Sequence, residues 1–309
     1  MTNWLVLPIV LPIVAAIAAV LIPSPRGRDA IALGAIVLLV AGAGFLTLSA
    51  SQALPLTSSL GDWPAPYGIQ LILDRSAALL LMTTAVIALL AAVAARSRTA
   101  AAGRHWHALL LLLVAGLNGA YLAGDWFNLF VAFEILLLAS YALLVHGGTR
   151  ERISIGFAYA LLNMVGSSVF LIALALLYGT VGTLNLADVA LRLSSLAVAD
   201  QALARTAIGL FAAVFALKAA LFPLAFWLPR AYPAADPVVG ALFAVMTKVG
   251  VFALIRLYSI ADAAAPQIAA WLSAWLLPLA LATIVFGTLG VLAARRLAQL
   301  AAYLVLISS

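Results

Sequence analysis

Glu134, Lys218 and Lys248 lie deep inside long apolar stretches of this 309-residue chain. A carboxylate and two ammonium groups in such surroundings suit one chemistry, the holding and handing on of protons. Glu134 falls in Gly124-Asp125-Trp126-Phe127-Asn128-Leu129-Phe130-Val131-Ala132-Phe133-Glu134. Read as a helix starting at the Gly-Asp turn, that stretch puts the carboxylate roughly 15 Å in, half the depth of a hydrocarbon core. A charge there costs from ~2.5 to more than ~10 kcal/mol and persists when paired, solvated or put to use. Lys218 lies about fourteen residues into its own run, ahead of Pro223. Proline has no amide proton, so Pro223 removes the bond to the Ala219 carbonyl and should break the helix within a turn of the lysine. Backbone freed at that depth needs a hydrated cavity or protein interior. Lys248 is again central, in Met246-Thr247-Lys248-Val249-Gly250.

Asn163, Ser167 and Ser168, at i, i+4 and i+5, form a polar stripe that either holds water between the charges or lets helices pack closely. A Glu134 to Lys218 pair at ~4 Å, in an effective dielectric of about 20, is worth roughly 4 kcal/mol. Making or breaking it would switch a lysine between holding and releasing a proton. The alternative is a static buried ion pair, with Lys248 reaching a lipid headgroup.

The elements that must position these groups are membrane helices. Hydrophobic residues make up 67% of the chain and charged residues 8%, with a mean hydropathy of +1.22, which excludes an ordinary soluble domain. Apolar runs long enough to span occur at about 4 to 22, 31 to 50, 73 to 95, 105 to 123, 125 to 145, 155 to 178, 204 to 225, 238 to 257 and 271 to 293. A tenth begins near Leu297 and stops at Ser309 after roughly 18 Å, so the chain reads as truncated in mid-helix. Alternating the loops puts Arg26, Arg28, Arg96, Arg98, Arg104, Arg150, Arg152, Arg230, Arg295 and Arg296 on one side, with Arg75, Arg192, Arg205 and Arg256 on the other. Positive charge marks the cytoplasmic side, so the N-terminus is expected outside.

The net charge of +6 therefore reflects topology, and no nucleic-acid partner is read from it. Without cysteine, and with three histidines lacking ligand spacing, the chain offers no thiolate, metal or cofactor site. The first run lacks a basic leader and a cleavage site and reads as a retained helix. Of the outer connections, 51 to 72, with Pro55, Gly61, Pro64 and Pro66, suggests turns or a short hairpin, and Leu184 to Val189 an amphipathic interfacial turn. Asp125 reads first as a helix cap, and Trp4, Trp106, Trp126, Trp227 and Trp271, near proposed helix ends, as interfacial anchors.

The stretch from Gly124 through Phe130 to Glu134, followed by Leu144-Val145-His146-Gly147-Gly148-Thr149, resembles the helix-five region of a proton-translocating membrane family. That family includes the antiporter-like subunits of respiratory complex I, membrane-bound hydrogenase subunits and the large subunits of Mrp-type antiporters. Tyr178-Gly179-Thr180-Val181-Gly182-Thr183-Leu184-Asn185-Leu186-Ala187-Asp188 and Lys218-Ala219-Ala220-Leu221-Phe222-Pro223-Leu224-Ala225-Phe226-Trp227-Leu228-Pro229 look most like the D-type branch of the large Mrp subunits.

The resemblance implies an all-α, polytopic transmembrane helix bundle with an inverted-repeat fold. Residues 1–103 would be three N-terminal helices, 104–257 a complete first five-helix repeat with a broken helix seven, and 258–309 the start of a truncated second. It implies that Glu134, Lys218 and Lys248 translocate protons, with Pro223 at the helix break. The implied function is a secondary-transporter subunit, not an enzyme, that exchanges Na⁺ or another monovalent cation such as K⁺ for protons. It would work with other antiporter subunits in the lipid bilayer of a bacterial cytoplasmic (inner) membrane, serving Na⁺ and pH homeostasis. The alternative is an antiporter-like, proton-pumping subunit of a NADH:quinone oxidoreductase or membrane-bound hydrogenase complex.

Overall fold

The computed structural model describes residues 3–52, 55–63, 65–96 and 103–309; Pro64 and Arg98 lie outside them. The apolar runs become helices α1 (Leu7–Leu21), α2 (Pro25–Gln52), α3 (Arg75–Ala95), α4 (Trp106–Leu122), α5 (Trp126–Val145), α6 (Arg150–Val181), α8 (Val198–Lys218), α10 (Pro237–Ala264), α11 (Pro266–Ala293) and α12 (Leu297–Ile307). Short helices α7 (Leu186–Ser194) and α9 (Leu228–Ala234) flank α8, and strands β1 (Leu56–Ser59) and β2 (Gln70–Leu73) form an antiparallel hairpin. Among the described residues eight helices are long and apolar enough to cross a membrane, and α4 and α12 are shorter apolar helices. The chain is thus an all-α, polytopic bundle that divides into two compact units.

The first unit comprises Met1–Phe157 and Ala235–Phe243. Its centre is α4, buried along its whole length, as expected of a helix that is apolar all round. Small residues let α5 approach it. A Cβ at Gly116 would come within 2.5 Å of the Leu136 amide, and one at Gly119 within 3.2 Å of Ala132 Cβ. Helices pack this closely where small residues allow backbones to meet.

Helix α1 leans on α4 through a polar bond. Pro12 leaves the Pro8 carbonyl without an intrahelical donor, and the buried Asn118 amide donates to that carbonyl at 2.8 Å. At one end of α4 the hairpin docks, with Leu71 bridged to Ala123 and the Gly124 amide donating to Gln70 O at 2.9 Å. No side chain fits at Gly124, where a Cβ would lie 2.7 Å from Ile72. At the other end, Asp29 of α2 pairs with Arg96 at 3.1 Å and lies 3.8 Å from His107, beside Arg28 bonded to Arg104 O.

The second unit comprises Ala158–Ala234 and Ala244–Ser309. Phe170 of α6 meets Phe211 and Phe215 of α8 edge-on at 5.5 and 5.3 Å, fixing those helices together. The connection read as an amphipathic turn is the helix α7. Asn185 caps it by accepting from the Ala187 and Asp188 amides, Leu186, Val189 and Leu193 face inward, and Asp188 pairs with Arg192 one turn on.

Candidate functional site

Lys218 is the last residue of α8, and the manner of that ending places its ammonium. The Leu221 amide donates to Ala216 O at 2.9 Å and the Ala220 amide to Leu217 O at 3.1 Å, with Ala220 left-handed at φ +57°. This is a Schellman ending whose left-handed position, usually glycine, is an alanine. The chain then passes through Pro223, a short 3-10 turn at Leu224–Trp227 and α9. Lys218 therefore stands at the negative end of the α8 dipole, where a cation is favoured.

The lysine side chain is buried, 5% exposed, and donates to Asn163 Oδ1 of α6 at 3.2 Å. Asn163 is itself oriented by donating to Tyr159 O at 2.9 Å. Gly166 makes room for Leu217 beside the lysine, since a Cβ there would lie 2.9 Å from Leu217 Cδ2. Ser167 is also buried on this face of α6.

Ser168 does not join them. It is exposed and turns its hydroxyl back to Met164 O at 3.0 Å, because one further residue rotates it about 100° away from Ser167. The polar stripe thus narrows to Asn163 and Ser167.

Lys248 of α10 is half-buried and makes a separate cluster in the second unit. Its ammonium donates to Ser308 Oγ at 2.6 Å, and to Thr247 Oγ1, Ser309 Oγ and Val305 O at 3.3 to 3.4 Å. Neutral hydroxyls and a carbonyl hold this charge. Glu134 belongs to the first unit, half-buried on α5 two residues before Leu136, where α5 meets Gly116. Asp125 caps α5 by accepting from the Phe127 and Asn128 amides at 2.8 and 3.0 Å, so its cap reading holds. Burial pushes its carboxyl up from its ordinary value, against those two amides.

Three of the tryptophans read as interfacial anchors, Trp106, Trp126 and Trp227, are instead interior. Trp126 is fully buried, and Trp227 packs against Tyr159 and Tyr232 while its indole donates to Leu217 O at 3.1 Å. A carbonyl at a helix end needs such a donor. Thr283, Gly250, Ser308 and Ser309 were not singled out by the sequence. Nothing in the sequence separates Thr283 from Thr288 in the apolar run of α11, and the contacts of Ser308 and Ser309 with Lys248, and of Gly250 with the end of α8, appear only in the fold.

Residues 123–304 match the family described as NADH:quinone oxidoreductase/Mrp antiporter, TM. The chain is 44% identical over 324 residues to the D-type subunit of a probable K(+)/H(+) antiporter of Rhizobium meliloti, an alignment covering 100% of this chain and 60% of that protein. Among solved structures, it resembles a chain of the archaeal membrane-bound sulfane sulfur reductase, a respiratory membrane complex, with TM-score 0.92 and 28% identity over 99% of this chain and 63% of that one. It likewise resembles a chain of the Mrp complex from Dietzia sp. DQ12-45-1b, with TM-score 0.87 and 28% identity over 99% of this chain and 57% of that one. The chain thus spans about three fifths of the length of the relatives it matches. With a matching segment that runs from the Gly124 turn through Lys218 and Lys248 into α12, the chain is a multi-pass membrane protein belonging to the NADH:quinone oxidoreductase/Mrp antiporter transmembrane family.

Proposed function

We propose that this chain carries the proton-conducting groups of a subunit of a multi-subunit monovalent cation/proton antiporter. The observation that carries the reading is Lys218. A buried ammonium at the broken end of a helix, held by the neutral amide of Asn163, can give up its proton without breaking an ion pair to that partner. Lys248, held by Thr247, Ser308 and Ser309, is the second station, and Glu134 is the carboxylate that biases whether Lys218 is charged. Asn163 and Ser167 supply polar contacts along the way. The likeness to a subunit of a probable K(+)/H(+) antiporter supports the cation-exchange reading, with K⁺ or Na⁺ as the cation, moved for ion and pH homeostasis together with other antiporter subunits.

In this reading, 1–103 precedes a five-helix repeat over 104–257, and 258–309 opens a second. The membrane is a bacterial inner membrane with the N-terminus outside. The likeness to the sulfane sulfur reductase favours a second reading, a proton-translocating subunit of a redox-driven complex.

One experiment separates them. Proton flux after a K⁺ or Na⁺ step is followed in everted vesicles from an antiporter-deficient host carrying the complete operon, beside operons with Glu134→Gln and Lys218→Ala. Cation-driven flux that is lost in both variants, with normal membrane insertion, is the expected result. Normal exchange in either variant would sink the mechanism. Absence of any cation response, with electron-transfer-driven proton pumping instead, moves the chain to the redox reading.

A further inference from the structure

Breaking a helix inside an apolar bundle leaves amides and carbonyls that water cannot reach, and each needs a partner. At the end of α8 the Schellman bonds take the amides of Ala220 and Leu221, and the Trp227 indole adds a second donor to Leu217 O. The amide of Phe222 is different. It is the last donor before Pro223, and the reversal at Ala220 has carried it off the helix axis. Its bond goes to another element, Thr283 Oγ1 of α11, at 2.8 Å. The same hydroxyl donates to Leu279 O at 2.6 Å, which fixes its lone pairs toward the break.

Thr283 is 2% exposed, whereas on the same helix Ser273 is half-buried and Thr288 exposed, and each donates back to a carbonyl of its own helix. One turn on, Phe286 packs its ring 5.9 Å from that of Phe222. Helix α10 also presses on the break. A Cβ at Gly250 would lie 2.5 Å from the Ala219 amide and 2.8 Å from the Lys218 carbonyl carbon.

We propose that Thr283 is a positioning residue for Lys218: by holding the Phe222 amide it pins the unwound segment to α11 and so keeps the lysine at the end of α8 against Asn163. The inference rests on the reading of Lys218 as a proton carrier. Thr283 touches no transported ion. Its effect passes through the backbone from Phe222 to Lys218, four residues away.

The test is cation-driven proton flux by the complete complex in everted vesicles, across a range of pH and normalised to assembled complex. Thr283→Val keeps the shape and loses the acceptor. It is expected to lower the maximal rate about tenfold, in line with leaving one part-buried amide unpaired, and to move the pH of half-maximal exchange. Thr283→Ser, which restores the acceptor, is expected to return both toward wild type. Where Thr283→Val assembles poorly, Thr283→Ala is judged by the same criteria. Wild-type rate and pH profile in the variant lacking the hydroxyl, beside an inactive Lys218→Ala, overturns this inference alone. Normal exchange in Lys218→Ala overturns the carrier reading and this inference with it.

Discussion

Lys218 Nζ donates to Asn163 Oδ1 across 3.2 Å, joining the end of α8 to the middle of α6. An amide keeps its acceptor whatever the lysine does, so it can receive the proton donor and outlast its departure. Replacing it by Asn163→Leu removes that acceptor from a buried ammonium, at a cost of about 1.5 to 3 kcal/mol. Exchange by the complete complex is expected to fall at least tenfold while membrane insertion persists. Asn163→Asp sets a fixed negative charge beside the lysine, which holds the proton in place and should also slow exchange. Flux assays on both variants check the pair, and wild-type flux in Asn163→Leu contradicts the role of the bond.

Ala220 occupies the left-handed position of the Schellman ending at φ +57°. A residue with a Cβ pays roughly 1 kcal/mol there, and glycine does not. Ala220→Gly is therefore expected to leave the thermal stability of the purified complex unchanged or slightly raised. Ala220→Val, β-branched in the same conformation, should lower it clearly. Melting curves of the two variants should move apart, and equal shifts would show that the ending is not formed in this way.

Gly116 lies where α4 and α5 touch, with room for no side-chain atom before Leu136. Gly116→Ala must push α5 outward, and overpacking of this kind costs about 1 to 3 kcal/mol. Reduced thermal stability is the expected readout, together with slower exchange if Glu134 on α5 acts as proposed. An unshifted melting temperature would mean that the interface yields.

Asp125 caps α5 while its carboxyl is pushed up by burial. A carboxyl that titrates higher in the folded chain than in the unfolded one costs stability once both are ionised. That cost is absent below the unfolded value and grows as the pH rises through the folded one. Asp125→Asn caps without a charge, so it is expected to be at least as stable as wild type at neutral pH and to retain exchange. Asp125→Ala loses the cap and should cost about 1 kcal/mol. Loss of exchange in Asp125→Asn, with stability kept, would give the charge a role beyond capping.

The helices were legible in the sequence because the apolar runs are long; α6 extends past its estimate at both ends, α10 mainly at its C-terminal end and α11 at its N-terminal end. Glu134, Lys218 and Lys248 stood out because a charge in an apolar run is rare. The rest depended on contacts that spacing does not encode. Ser167 and Ser168 are neighbours in sequence, yet one turns inward and the other outward. Trp227 looked like an anchor because it falls near the end of an apolar run, but the carbonyl it serves exists only once α8 has stopped at Lys218. Ser308 and Thr283 are ordinary hydroxyls until α12 and α11 bring them to Lys248 and Phe222.

The bond from Asn118 to the Pro8 carbonyl also has a bearing on how the protein is made. The two residues are 110 positions apart. A ribosome adding about 5 to 20 residues per second needs on the order of ten seconds to cover that distance. Throughout that interval α1 has reached the insertion machinery with a carbonyl that Pro12 leaves unserved, and lipid offers it no donor. The first helix is therefore expected to linger beside the translocon, or at the wetter edge of the bilayer, until the fourth arrives and the two leave together.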